Sequence, residues 1–494
     1  MIGISALGCY VPSYCLTAES MSRVWGTSFG TGERAVANYD EDSLTMTVEA
    51  TLDCLRDRES KGIDGLFFAS TTAPYAEKQN ASLVATAADL TKETLTVDYG
   101  GSLRAGTSAL RLALDAVKSG SNRAIVVTTA DCRMGEPGSA METQLGDGAA
   151  AALVSSDEVA IAVEETFSIC QEFTDVWRKS DDSHLRSEDD RFVQTHGYVE
   201  ITQEAIEGLL KKAGCERQDV CKVIFYAPNV RIHHTMTRAL GFDQSAYLDD
   251  VFLTLVGDTG VASPLFSLLQ VLGEVKAGDR LILVGYGSGA DAFLLQVTER
   301  IERLKSNLHQ LNTQLTSRRL AISYGEYLKA RRVIPYEKPS PFSSYPILWR
   351  DQEYDLRLRG RRCCSCDAVQ YPVRRVCWQC GAKDDFEDVK LSREGSVYTY
   401  TKDYVFPAFG SPVIMAVIDL EGGGRFFTEL TDCDPDDVRV GLPVKLTFRR
   451  FHEGGGFNNY YWKARPLAVG PSEGRTLKAR TPLTKSNSPY LRRV

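Results

Sequence analysis

Residues 107–129, TSALRLALDAVKSGSNRAIVVTT, and residues 265–286, LFSLLQVLGEVKAGDRLILVGY, share one grammar. Each reads as an amphipathic helix, a glycine stop and a β-branched strand. Val117-Lys118-Ser119-Gly120 answers Val275-Lys276-Ala277-Gly278 at an offset of 158 residues. Both copies then enter a Gly/Ala-rich turn and a second strand, at 146–154 and 287–295, where small residues let backbone pack on backbone. Agreement in order and spacing over two segments points to an internal duplication. Further strands are expected at Leu66–Ala69, Val159–Val163 and Val223–Tyr226, with helices at Ser43–Arg56, Gln203–Ala213 and Arg231–Leu240. Alternating helices and strands define an α/β fold of two similar halves, about 1–165 and 166–332.

Beyond residue 332 the grammar changes. A Pro/Ser-rich stretch from Pro335 marks a linker, placed with a helix at 333–355. Five short β-rich segments follow, Ser396–Thr401, Val413–Asp419, Arg425–Leu430, Val444–Phe448 and Tyr460–Lys463. Their glycine-containing turns suit a small barrel over 391–470. The basic, Ser/Thr/Pro-rich end at 471–494 is expected to be disordered.

The 494 residues carry 57 Lys+Arg against 65 Asp+Glu, a net charge of −8, with 43% apolar residues. That balance leaves no basic footprint for nucleic acid or an anionic membrane. No apolar run reaches the roughly 18–20 residues that span a bilayer, and the N-terminus lacks a secretory pattern. Thirteen cysteines, eight of them scattered singly, suit a reducing cytoplasm.

The other five cysteines cluster. Cys363-x-x-Cys366 and Cys377-x-x-Cys380 are separated by ten residues, and two such turns build a tetrahedral S₄ site for zinc. A ribbon over 356–390 is expected, with Cys364 pointing elsewhere. Four thiolates leave zinc no open position, so the metal is structural.

Residues 1–332 resemble the thiolase superfamily, in its hydroxymethylglutaryl-CoA synthase and ketoacyl synthase III branch. Asp98–Leu110, Pro137–Leu153, Asn229–Ile232, Gly257–Ser263 and Tyr286–Gly289 carry the match. Residues of about 343–468 resemble acyl-CoA-associated zinc-ribbon/OB-fold proteins, through Arg361–Cys380 and Gly395–Thr401. The resemblance implies a layered α-β-α-β-α core, an acyl-CoA substrate and a homodimer.

The departures matter most. The family's nucleophilic Cys falls on Leu103, its His on Tyr226, the Asn of its glycine turn on Asp258 and, loosely, its Glu on Thr71. Cys132 lies after the following strand and does not replace the nucleophile. Claisen and thiolytic chemistry through an acyl-enzyme needs that thiolate, whereas a retro-aldol cleavage does not. The expectation is therefore a carbon–carbon lyase that splits a β-hydroxyacyl-CoA, with a condensing acyltransferase or a non-catalytic acyl-CoA scaffold as the alternatives. Tyr226 is assigned proton transfer and Asp258 its orientation. Amides near Leu103 and Gly287 are assigned to the thioester oxygen, with Tyr286 and His234 beside the substrate. His233 and His196 are weaker candidates, Asp147 reads as structural, and Arg104 meets either an anion or an ion-pair partner.

Overall fold

The computed structural model describes the chain apart from residues 57, 59, 188–189, 317–319, 336–343, 407–408, 410–411 and 468–494. The expected disordered end at 471–494 and most of the Pro/Ser-rich linker lie outside the described residues.

Nine strands form one ladder, in the order 222–225, 280–286, 289–297, 161–170, 3–10, 148–155, 124–131, 65–69 and 95–99. The repeated units occupy equivalent places. Strand Ala124–Asp131 pairs parallel with Gly65–Ala69 and antiparallel with Gly148–Ser155. Strand Arg280–Tyr286 likewise pairs parallel with Lys222–Phe225 and antiparallel with Gly289–Val297. At the middle of the sheet, strand Gly3–Tyr10 pairs with strand Ile161–Cys170 through Gly3 with Ala162 and Ile4 with Ile161. Strand Ile161–Cys170 straddles the expected division at 165.

Alternation along the strands builds the layers. Leu281 and Leu283 face a central core, while Ile282 and Val284 face outward, as a period of two dictates. Helices Ala105–Lys118 and Ser263–Val271 fill that central layer. Helix Glu200–Ala213 covers one outer face and keeps charged residues in solvent. Helix Ser43–Cys54 covers the other, yet it is buried almost all round. This is the layered α-β-α-β-α core, and the nearly all-round burial of that last helix has a specific cause.

The C-terminal module sits on it. Strands Glu394–Asp403, Val413–Leu420, Arg425–Glu429, Pro443–Gly454 and Phe457–Pro466 form a five-stranded sheet, closed by a bridge between Leu430 and Ala464. Its core residues Phe448 and Trp462 join Leu44, Val48 and Phe68 in one hydrophobic cluster. Arg449 and Lys463 are fully buried at the seam, where Arg449 meets Asp40 (3.1 Å), Glu41 (2.8 Å) and Asp432 (2.5 Å). Glu49 accepts from Arg393 through both oxygens at 2.6 Å. The two bodies that the linker separates in sequence thus share one core in space.

The two CxxC turns are built alike. The Asp367 and Gly381 amides donate back to the Cys363 and Cys377 carbonyls, and both residues take positive φ. No helix among the described residues is long and apolar enough to cross a membrane.

Candidate active site

Tyr226 follows the end of strand Lys222–Phe225, in the loop that leads to Asn229, the N-cap of helix Val230–Ala239. Its buried hydroxyl donates to Asp258 Oδ2 at 2.7 Å. The same oxygen takes the Arg133 guanidinium, and Asp258 Oδ1 accepts from the Gly260 amide at 2.9 Å. Tyr226 and Asp258, assigned together from the sequence, therefore stand together. Burial first, and then the Asp258 charge, push the phenol well above its ordinary value against the pull of Arg133. Tyr226 is a neutral hydroxyl whose proton already points at Asp258, with the Arg133 guanidinium against its oxygen as well.

Arg133 and Asp131 are site residues that the sequence reading missed. Asp131 accepts from the Thr71 amide (2.7 Å), Ser70 Oγ (3.2 Å) and the Val261 amide (3.1 Å), with Arg133 Nε 3.9 Å away. A side chain at Gly260 would collide with both groups, its Cβ falling 2.2 Å from Asp131 Oδ2 and 2.8 Å from Arg133 Nε. Glycine at 260 thus lets one cation lie between two carboxylates. The available signal was a pair of opposite charges two apart at the end of a buried strand, where alternation puts both on one face. Cys132 between them faces the other way, and burial pushes its thiol up.

Leu103 packs, partly buried, against the cluster that holds Tyr226, Tyr286 and Tyr198. It precedes helix Ala105–Lys118 by two residues, at the positive end of the dipole. Gly287 comes so close that a Cβ there would lie 3.0 Å from the Leu103 nitrogen. Of the two amides assigned to the thioester oxygen, the one at Gly287 is already spent, since it donates to the Gly289 carbonyl at 2.9 Å. The ring of Tyr286 lies parallel to that of Tyr226 at 6.2 Å between centroids.

The histidines fall away from this centre. His234 is 56% exposed and pairs with Asp250 at 3.1 Å, because its helix turns that face to solvent. His233 packs on Phe225, and burial lowers its pKa to about 4. His196 pairs with Glu200 on the surface. Arg104 donates to the Ile169 carbonyl and pairs with Asp291. Asp147 accepts from the Ala37 amide and from Arg331. Thr71 brings no acid, and the nearest carboxylate to it is Asp131.

Two spaces that share part of their walls lie at and beside the centre. An inner cavity of about 60 Å³ has Arg133, Tyr226 and Asp258 in its wall. An outer groove of about 540 Å³ runs past Arg34 and Arg231. They share Met141, Gln144, Pro228, Asn229 and Ile232, and the Asn229 amide donates to Gln144 Oε1 at 3.0 Å in that shared wall. The hairpin Val176–Trp177/Arg186–Ser187 roofs the inner cavity, tied down by Arg178 to the Thr71 carbonyl and by the Leu185 amide to the Met134 carbonyl.

In the ribbon, all four sulfurs lie within 4.8 Å of one another. The Cys363–Cys380 and Cys366–Cys377 pairs stand at 3.7 and 3.6 Å. A tetrahedron with Zn–S bonds of about 2.3 Å has edges of about 3.8 Å, so the donor set fits zinc in both chemistry and spacing.

The fold is a thiolase-like α/β architecture joined to an OB-fold module. Residues 210–296 match the family described as 3-oxoacyl-[acyl-carrier-protein] synthase III C terminal, and residues 388–449 match ChsH2, C-terminal OB-fold domain. The chain is 33% identical over 338 residues to the hydroxymethylglutaryl-CoA synthase of Thermococcus onnurineus, covering 67% of this chain and 96% of that protein. It is 31% identical over 346 residues to the namesake from Methanopyrus kandleri, covering 68% and 98%. The chain belongs to the hydroxymethylglutaryl-CoA synthase family. A solved hydroxymethylglutaryl-CoA synthase complexed with CoA shares the fold, with a TM-score of 0.62 at 18% identity over 70% of this chain and 94% of that one. These relatives overturn the expected carbon–carbon lyase, because they are named for making hydroxymethylglutaryl-CoA and not for splitting a β-hydroxyacyl-CoA.

Proposed function

We propose that the chain is a CoA-thioester condensing enzyme, an acyltransferase of the hydroxymethylglutaryl-CoA synthase type that works without a cysteine acyl-enzyme. One observation carries this reading: the Arg133–Asp258–Tyr226 unit lines a small buried cavity whose wall residues Met141, Gln144, Pro228, Asn229 and Ile232 also line a groove large enough for a pantetheine arm. The thioester enters along the groove, its phosphates near Arg34 and Arg231. The Tyr226 oxygen takes a proton from the carbon beside the thioester while its own proton passes to Asp258. The Leu103 amide at the helix N-terminus holds the enolate oxygen. The enolate carbon then attacks the carbonyl of a second substrate. The acyl group stays on its pantetheine sulfur through the carbon–carbon bond-forming step, since leucine offers no nucleophile. The new alkoxide takes a proton, and water then hydrolyses that thioester, leaving a carboxylate on the condensed product and releasing CoA as its thiol.

Zinc held by Cys363, Cys366, Cys377 and Cys380 belongs to the same reading, as a structural ion that folds the ribbon. So do a homodimer through the first body and a cytoplasmic setting. Leu103 by itself favours a second reading, an acyl-CoA-binding scaffold. Acetyl-CoA and acetoacetyl-CoA incubated together separate the two. A condensed thioester in the mass spectrum, with the protein mass unchanged, supports the condensing enzyme. Saturable binding of both thioesters with no product leaves the scaffold.

A further inference from the structure

The wall of the inner cavity has two parts. Met141, Gln144, Pro228, Asn229 and Ile232 line the groove as well, so a thioester coming from the groove arrives past them. Leu145, Val176, Leu185 and Val193 line the inner cavity alone, and they are the apolar wall left to its acyl group. Two of the four are placed by unusual backbone. Leu185 leads into the second strand of the roofing hairpin, where its amide donates to the Met134 carbonyl at 2.8 Å. Val193 opens the π-helix Val193–Val199. A π-helix bonds residue i to i+5 and recurs at functional sites, and here two residues five apart, Val193 and Tyr198, both reach the cavity. Gly197 lets this turn sit close, since a Cβ there would lie 2.8 Å from both Phe173 Cε1 and Tyr286 Oη. Val193 and Tyr198 are buried in a packed cluster, so the wall they make is fixed.

Size and charge then define what fits. One water-sized group takes about 10–15 Å³ of such space, so about 60 Å³ holds about five heavy atoms. Among the described residues of that wall Arg133 is the only basic one, and it already lies against Asp258 and 3.9 Å from Asp131. A carboxylate on the acyl chain would be buried there without a free cation. Resting on the condensing reading above, we infer that Leu185 and Val193 are specificity-determining residues, which limit the donor thioester to an uncharged acyl chain of up to about four carbons. The α-carbon has to reach Tyr226, and every carbon beyond it has to fit in the space that Leu185 and Val193 bound.

Deuterium uptake at the α-carbon of acetyl-, butyryl-, hexanoyl- and succinyl-CoA tests this on the full chain, with each rate taken relative to acetyl-CoA in the same protein. Succinyl-CoA matches butyryl-CoA in chain length but ends in a carboxylate. The native protein is expected to exchange hexanoyl-CoA and succinyl-CoA at least about tenfold more slowly than butyryl-CoA. Leu185→Ala and Val193→Ala should each raise the hexanoyl-to-acetyl ratio by about tenfold, and Leu185→Phe should lower the butyryl-to-acetyl ratio by a similar factor. Loss of folded protein would scale all rates alike and leave these ratios where they were. Hexanoyl-CoA or succinyl-CoA exchanged by the native chain as fast as butyryl-CoA overturns the inference, and so do ratios that none of the three substitutions moves; either result leaves the condensing reading standing. No exchange of any of the four thioesters by the native chain removes that reading, and the inference with it.

Discussion

The Tyr226 hydroxyl donates to Asp258 Oδ2 at 2.7 Å, while Arg133 closes on that same oxygen. Asp258 is thereby held between a cation and a phenol, and Tyr226 can pass its proton on only as it accepts another. Tyr226→Phe keeps the ring and removes the relay. Its α-proton exchange should fall by about a hundredfold or more, with thioester affinity unchanged. Exchange rates of the variant beside calorimetric binding check this.

Leu103 stands where a thiol would meet the helix N-terminus. The native protein should show no acyl adduct by intact mass after incubation with acetyl-CoA. Leu103→Cys should acquire one acetyl group, because a helix N-terminus lowers a thiol's pKa. An adduct on the native chain would locate a different nucleophile.

Glu49 joins the first body to the barrel. Burial alone would raise its pKa, but Arg393, Arg465 and Lys445 override it and hold the carboxyl at about 2, below its ordinary 4.5. Such a group stabilises the fold fully above its unfolded value, and the contribution is lost as pH falls from about 4.5 to 2. Glu49→Gln should therefore cost about 3 kcal/mol at pH 7 and almost nothing near pH 2. Denaturant melts of both chains across that range measure the difference.

Arg449 meets three carboxylates while fully buried. Arg449→Met strands them, which should destabilise the chain by about 3–5 kcal/mol. Since one hydrophobic cluster runs through both bodies, the barrel and helix Ser43–Cys54 should lose protection together in hydrogen exchange.

The cysteine tetrad should bind one zinc per chain. Chelation, or Cys363→Ser, should unfold the ribbon around strands Arg359–Cys363 and Phe386–Lys390 while leaving the nine-stranded ladder folded. Metal analysis with hydrogen exchange over 359–390 reads both effects.

Local signals in the sequence carried the fold because it is locally encoded. The repeated helix–strand units, the Gly/Ala turns and the paired CxxC turns each declare themselves within about thirty residues. Tyr226 and Asp258 were singled out through the resemblance, and the structure brings the two side chains together. The seam was not: Asp40 and Arg449 are each ordinary charges in sequence, and only folding brings them to 3.1 Å. The direction of the chemistry was misread because the missing cysteine was taken to exclude condensation, when it excludes only the acyl-enzyme.

The most direct measurement is deuterium uptake at the α-carbon of acetyl-CoA in deuterated water, with the native chain and Tyr226→Phe side by side. Uptake by the native protein, lost in the variant and unaccompanied by any acyl adduct, is the predicted result. It would show a thioester enolate formed by the Tyr226–Asp258 pair without cysteine. Undiminished uptake in Tyr226→Phe, or none by the native chain despite saturable binding of acetyl-CoA, would contradict the account.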